Sequence, residues 1–223
     1  MAFHHSPRIV SDGLILTVDG ANVKSYPGSG TTWNDISGGR TGTLQNGPVF
    51  STAGGGSIDF DGSNDYISFD STITQLSDYT INAWFFVDVS SAAQGIITWG
   101  QNSSGKRRAM IIWNGGSGTN YYLRSSTHGS NPASTTVMSS GQWWNGTVSL
   151  ASNGTAKIYV NGALENTSTN SFSTPSSNAI YIGATSTGTE FFNGKIAIIN
   201  VYDRVLTDAE VLKNYNAMKM RFE

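Results

Sequence analysis

Hydrolysis of a glycosidic bond needs two facing carboxyl groups, one as acid and one as nucleophile or base, roughly 5–9.5 Å apart. The chain offers only four glutamates, Glu165, Glu190, Glu210 and Glu223. None lies in a strand of alternating acidic residues, and Glu210 stands three positions after Thr207, where it serves to cap a helix. His128, in "RSSTHGSNP", is the one histidine outside the N-terminal stretch and is a general base only if a serine is poised beside it. No G-x-S-x-G turn accompanies it and no acidic residue adjoins it, which favours a loop histidine without catalytic duty. Cysteine is absent, which removes disulfides, thiolate metal sites and cysteine nucleophiles. These residues point to a protein that is not an enzyme.

Hard oxygen ligands are grouped in "DGSND" at 61–65, where Asp61, Asn64 and Asp65 are candidates for calcium. The spacing is not that of a complete calcium-binding loop, and Asp-Gly followed by Ser-Asn is also good turn chemistry between "SIDF" and "YISF". The turn is favoured, so no cofactor is expected. The adjacent His4-His5 is read as exposed rather than as a metal pair.

Aromatic rings beside amides offer non-covalent chemistry instead. In "YTINAWFFVD" the set Tyr79, Ile81, Ala83, Phe85 and Val87 is wholly apolar and reads as core, leaving Thr80, Asn82, Trp84, Phe86 and Asp88 on the outward face. In "WWNGTVSLA", Trp144, Val148 and Leu150 share one side, and Trp143, Asn145, Thr147 and Ser149 the other. In "NYYLRSS" the more polar set is Asn120, Tyr122, Arg124 and Ser126.

The elements that position these residues are short strands. "KIYVNGALENT" alternates Lys157 and Tyr159 with Ile158 and Val160, then supplies Asn161-Gly162 for the positive φ angles of a tight hairpin. Similar runs, from "LILTVD" to "GKIAIINVYD", recur about every ten residues with turn signals between them, which indicates an antiparallel sandwich or jelly roll. The turn-rich stretch 27–39 is expected to pack down through Trp33 and Ile36. Only the end changes period: Thr207 and Glu210 form a capping box, and Val211, Leu212, Tyr215 and Met218 make one stripe, so a helix over 207–217 should dock on the sandwich. The expected organisation is an arm over 1–11, a sandwich over 12–206, and a helix and tail over 207–223 belonging to the same domain.

A net charge of -2 gives no field for a polyanion, and the one basic run, Lys106-Arg107-Arg108, reads as a solvated loop, so no nucleic-acid partner is expected. No segment approaches the roughly 20 apolar residues of a membrane span, and the start lacks the pattern of a secretory leader.

"SIDFDGSNDYISF", "YTINAWFFV", "GQWWNGTVSLASNGTAKIYVNGALENT" and "AIYIGATSTGTEFFNGKIAIINVYDRVLTDAEV" stand in the order and spacing of the concanavalin A-like, laminin-G-like jelly rolls. The sequence resembles that family over roughly residues 12–212, which implies an all-β fold of two antiparallel sheets with the short C-terminal helix added. Its opening and closing stretches are similar to the ends of laminin-G-like proteins of tailed bacteriophages, particularly those of marine cyanobacteria. Glucanases of this architecture place two glutamates and an aspartate at alternate positions of one strand, a pattern missing here. Relatives often carry an acid after "GKI", where this chain has Ala197.

The resemblance implies a virion surface protein, a capsid decoration or a fibre or adhesin component, made in the host cytoplasm. Its partners would be other virion proteins, through the arm or the helix, and a host cell-surface glycan, with a homo-oligomer such as a trimer as the assembled form. If the strands named above share the concave sheet, Asn82, Trp84, Arg124, Trp143 and Asn145 line a shallow groove suited to a sugar or a protein. The alternative is a free carbohydrate-binding lectin, and a glycan-cleaving enzyme is the least favoured reading.

Overall fold

Alternation of apolar and polar residues builds two facing sheets, because each strand can bury only one side against a common core. The computed structural model describes residues 8–73, 76–88, 93–100, 106–114, 120–127, 131–169, 173, 179–185 and 190–223. The readings made above for His4, His5 and His128 fall outside them. The first sheet contains β1 (Leu14–Asp19), β4 (Val49–Ser51), β5 (Ser57–Asp61), β7 (Tyr79–Val87), β11 (Trp143–Leu150), β12 (Thr155–Val160), β13 (Ala163–Thr169) and β15 (Asn193–Tyr202). Its order is β13-β12-β11-β7-β15-β5-β4, with β1 pairing the second half of β15. The second sheet, in the order β10-β9-β8-β14-β6-β3-β2, contains β2 (Thr32–Asn34), β3 (Thr41–Gln45), β6 (Tyr66–Thr72), β8 (Gln94–Gly100), β9 (Arg107–Trp113), β10 (Tyr122–Ser126) and β14 (Ala179–Ile182). All of the pairings are antiparallel.

The core between the sheets holds the sets expected from the sequence. Tyr79, Ile81, Ala83, Phe85 and Val87 of β7 and Trp144, Val148 and Leu150 of β11 all lie in it. Trp33 anchors the 27–39 loop and is fully buried, whereas Ile36, expected beside it, is 42% exposed. That loop is held instead by Asp35, whose Oδ1 accepts the backbone N–H groups of Thr17, Ser37 and Gly38, each at 2.9 Å. Its Oδ2 meets Arg40 at 2.9 Å. Burial raises the Asp35 pKa, but these donors more than offset it and leave the carboxyl below its usual range.

The hairpin between β12 and β13 turns on Asn161 (φ 50°) and Gly162 (φ 79°), as its Asn-Gly sequence requires. A side chain on Gly162 would press on Tyr215 of the terminal helix, so the turn is packed as well as tight. Tyr159, which alternates with Ile158 and Val160 and so lies on the other side of the strand, is nonetheless 1% exposed and joins Val10, Tyr202, Leu206 and Val211 in a small second core. Its hydroxyl and the Lys157 ammonium both reach Asp208 at 2.8 Å.

Asp208 opens α1 (Asp208–Met218), capped by Thr207 and Glu210 as a complete capping box. Glu210 also takes a two-pronged pairing from Arg204, at 2.6 and 2.9 Å. The helix lies on the outer face of the eight-stranded sheet. Tyr215, Met218 and Phe222 cover Trp84, Ala197, Ile198 and Trp143, with Phe222 stacked on Trp84 at 4.2 Å and Tyr215 at 5.6 Å. Ala197 is fully buried there, a position where an unpaired carboxylate would be costly. Arg221 fixes the far end, bonding Gly54 and Gly56 carbonyls and the Asp19 carboxylate. Val10 is tied in as well, donating its N–H to Asn214 Oδ1 and accepting the Tyr202 hydroxyl at its carbonyl.

Two stability measurements check this packing. Trp84→Ala removes both stacking contacts and leaves a cavity, and should cost about 3–5 kcal/mol in denaturant unfolding. The Arg204 fork first, with the Thr207 amide, holds the Glu210 carboxyl down at about 2 against an ordinary 4.5. A depressed carboxyl contributes stability that is present above its unfolded pKa and lost as pH falls through the folded one. Glu210→Gln should therefore lower Tm by about 2–4 °C above pH 5, corresponding to about 1 kcal/mol, with the difference from wild type vanishing near pH 2.

Candidate functional site on the open face of the seven-stranded sheet

The groove expected to join Asn82, Trp84, Arg124, Trp143 and Asn145 does not form. Four of these residues lie on the outer face of the eight-stranded sheet, with Asn82, Trp84 and Asn145 buried and Trp143 half-buried against Phe222 and Phe86. The amides are satisfied by one another: Asn82 Nδ2 donates to Thr147 Oγ1 at 2.8 Å and to Asn145 Oδ1 at 3.2 Å, and Asn145 Nδ2 to the Ala83 carbonyl. Arg124 lies on β10, in the other sheet. Polar residues alternating with a core set show which face they occupy, but not whether that face meets water.

Arg124 instead belongs to the outward face of the seven-stranded sheet. In β9, Met110 and Ile112 enter the core, so Arg107, Ala109, Ile111 and Trp113 point the other way. In β10, Leu123 enters the core and Tyr122, Arg124 and Ser126 face out. The register pairs Tyr122 with Trp113 and Ser126 with Ala109, and Ala109 is in turn opposite Thr98, Thr98 opposite Tyr181 and Tyr181 opposite Ser68. Tyr66 and Tyr181 approach at 6.0 Å between ring centres. One face thus carries the half-buried Arg124, Trp113, Tyr122, Tyr181 and Tyr66, with Arg107, Thr98, Ala109, Ile111 and Ser126 buried between them.

Its charges are placed with care. The Arg124 guanidinium lies 4.2 Å from the centre of the Trp113 ring, a cation–π contact. Arg107 meets Glu190 at 3.5 Å and bonds Ser126, while Glu190 is also bonded by Thr185. Glu190 adopts φ 55°, a left-handed backbone that a residue with a side chain enters at a cost. Burial pushes the Arg107 pKa down, with the Glu190 carboxylate acting against it. Burial also lowers that of Arg124, the nearby Arg107 charge adds to the effect, and the Glu190 carboxylate opposes it. Arginine titrates so high that both remain cations at neutral pH.

The basic run read as a solvated loop is corrected accordingly. Arg107 and Arg108 open β9 and are 7% and 0% exposed; Arg108 faces inward over Tyr79 and bonds the Ser173 carbonyl. Trp113, Arg107, Tyr181 and Glu190 were missed, although the alternation in "RAMIIWN" already put Trp113 opposite the core set. Glu190 carried no local signal, because its partner is distant in sequence.

The calcium candidates form the alternative turn. Asp61 Oδ1 accepts the Ser63 and Asn64 amides, and Asp65 Oδ2 accepts the Asp61 amide. Asp59, Asp61, Asp65 and Asp88 share the wall of a cavity of about 400 Å³ with Lys195, which pairs with Asp59 at 3.1 Å. Among the described residues, no three His, Cys, Asp or Glu side chains are grouped to hold a metal ion. A larger cavity of about 910 Å³ lies between residues 8–12 and the terminal helix, walled by Thr17, Asn200, Lys213 and Met218. Thr17 Oγ1 and Asn200 Oδ1 have no hydrogen-bond partner among the described residues, but both atoms are sealed from the solvent that fills it.

Comparison with known proteins agrees with this architecture. Among curated proteins, none matches the chain. In structure it is similar to domain 4 of the extracellular arabinanase AbnA of Geobacillus stearothermophilus, solved with arabinotriose, at TM-score 0.70 and 18% identity over 91% of this chain and 98% of that one. The receptor-binding domain of botulinum neurotoxin type G gives 0.65 and 20% over 92% of this chain, which spans about half (51%) of that domain. The heptameric pentraxin of Limulus polyphemus gives 0.60 and 17% over 70% of this chain and 79% of its own. These likenesses establish the fold. A laminin G-type family model matches residues 61–212, most of the chain, and the chain therefore belongs to the concanavalin A-like lectin/glucanases superfamily.

Proposed function

We propose that this domain is a non-enzymatic glycan-binding protein displayed on the surface of a bacteriophage particle. The observation that carries the glycan half is the half-buried Trp113–Arg124 stack set among tyrosines on the outward face of the seven-stranded sheet. A sugar presents an apolar C–H face, which suits an aromatic ring, and hydroxyls, which suit guanidinium and hydroxyl groups. The arabinanase domain that shares the fold was solved with arabinotriose, which supports this use of the fold.

The absence of catalysis is supported by what the glutamates are doing. Glu165 accepts the Thr135 and Thr136 amides at 2.9 Å, Glu190 pairs with Arg107, and Glu210 with Arg204 and Thr207. Each of the three is thus engaged by hydrogen-bond donors or a cation, and Glu210 and Asp12, which share Arg204, are both held as its counter-ions. The virion half rests on the resemblance of the two ends of the sequence to phage proteins. Many copies on one particle, as trimers or on a capsid lattice, would bind by avidity, so a single shallow site suffices.

A glycan array followed by titration of the best ligand tests the binding. Trp113→Ala should weaken it about tenfold, the loss of one stacked aromatic contact, while Trp84→Ala should leave affinity unchanged in the folded fraction. Equal loss in both variants would place the site elsewhere. Immunogold labelling of purified virions tests the location, with gold on head or fibre expected and unlabelled particles favouring a free lectin.

A further inference from the structure

We infer that the glycan bound on this face is acidic, with a carboxylate received by the Arg124 guanidinium beside Arg107. The inference rests on the glycan-binding reading and names the ligand class. Arg124 is held half-buried on Trp113, and none of its guanidinium nitrogens has a hydrogen-bond partner among the described residues; Nε is itself shielded from solvent. A partly desolvated guanidinium with unmet donors is costly, and the cost is offset when an anion binds.

The neighbouring charges decide which ligand sign fits. Arg107 bonds Ser126, which faces out two residues along β10 from Arg124, so the two arginines stand on the same face of the sheet. Glu190 is committed to Arg107 and Thr185. Two cations share the one Glu190 carboxylate, which leaves the group of three with a net positive charge. Across the face, the next carboxylate on the strands is Asp70 of β6, four strands from Arg124 and bonded to the Thr41 amide. A planar fork fixed on an aromatic ring matches the two oxygens of a carboxylate, which it can bind with paired N–H donors. The tyrosines along the row from Tyr122 to Tyr181 would then carry the sugar rings.

The test is calorimetric titration with glucuronate-, galacturonate- and mannuronate-containing pentasaccharides and sialyllactose. Each is paired with its carboxyl-reduced form, and sulfated oligosaccharides that lack any carboxylate are included. At least one carboxylated sugar should bind at least tenfold more tightly than its reduced counterpart. That preference should weaken as salt is raised and be abolished in Arg124→Gln. Arg124→Lys, which keeps the charge but not the fork, should recover only part of it. Thermal unfolding of both variants checks that they are folded, and Arg124→Lys carries the test if Arg124→Gln is not. Reduced sugars binding as well as carboxylated ones, or sulfated sugars binding better, would overturn the inference while leaving the glycan-binding function standing. No binding to any sugar of the panel would overturn both.

Discussion

The structure depends on the stack of Phe222 and Tyr215 on Trp84. A two-sheet sandwich has two outer faces, and a large indole on one of them must be covered by something. Here the chain covers it with its own C-terminal segment, running from Thr207 to Phe222 and pinned at one end by Asp208 and at the other by Arg221. The alignment is close, with interplanar angles of 12° to Phe222 and 14° to Tyr215, and Trp143 completes the cluster. This face is therefore occupied by the chain itself.

The covered face also explains why polar residues can be interior. Asn82, Asn145, Thr147 and Asn200 sit beneath the terminal segment in a hydrogen-bonded layer in which amide donors meet amide, hydroxyl or carbonyl acceptors. Such a network is stable only when its members satisfy one another, and it favours a single register between β7, β11 and β15. Asn161 joins it from the hairpin turn by accepting the Asn145 amide, so the turn and the sheet are fixed together. Asn214 plays the same part on the helix side, between Val10 and Tyr202.

The seven-stranded sheet is built differently. On its outward face Arg124 is stacked on Trp113 without a hydrogen-bond partner among the described residues, while its neighbour Arg107 pairs with Glu190. The strained Glu190 backbone shows where the fold has accepted a local cost, and that cost sits beside the arginines rather than in a turn that sequence alone would require. Aromatic rings, a strained backbone and a guanidinium without a hydrogen-bond partner among the described residues thus occur together on this face.

The sequence by itself determined the two-residue alternation of β7 and β11, the Asn-Gly turn, the Thr207–Glu210 capping box and the family. Each of these is a local pattern, readable because strand geometry fixes which side a residue takes and cap geometry spans only four residues. It did not determine what lies over each face. Trp84 and Trp143 looked like a binding surface and became the seat of the helix, while Lys106-Arg107-Arg108 looked like a solvated loop and supplied two buried arginines of β9. Only the tertiary structure decided that Arg124 belongs to the sheet opposite Trp84, and that Glu190 meets Arg107 from 83 positions away in sequence. Burial and charge pairing are made by contacts between distant segments, and no local period encodes them.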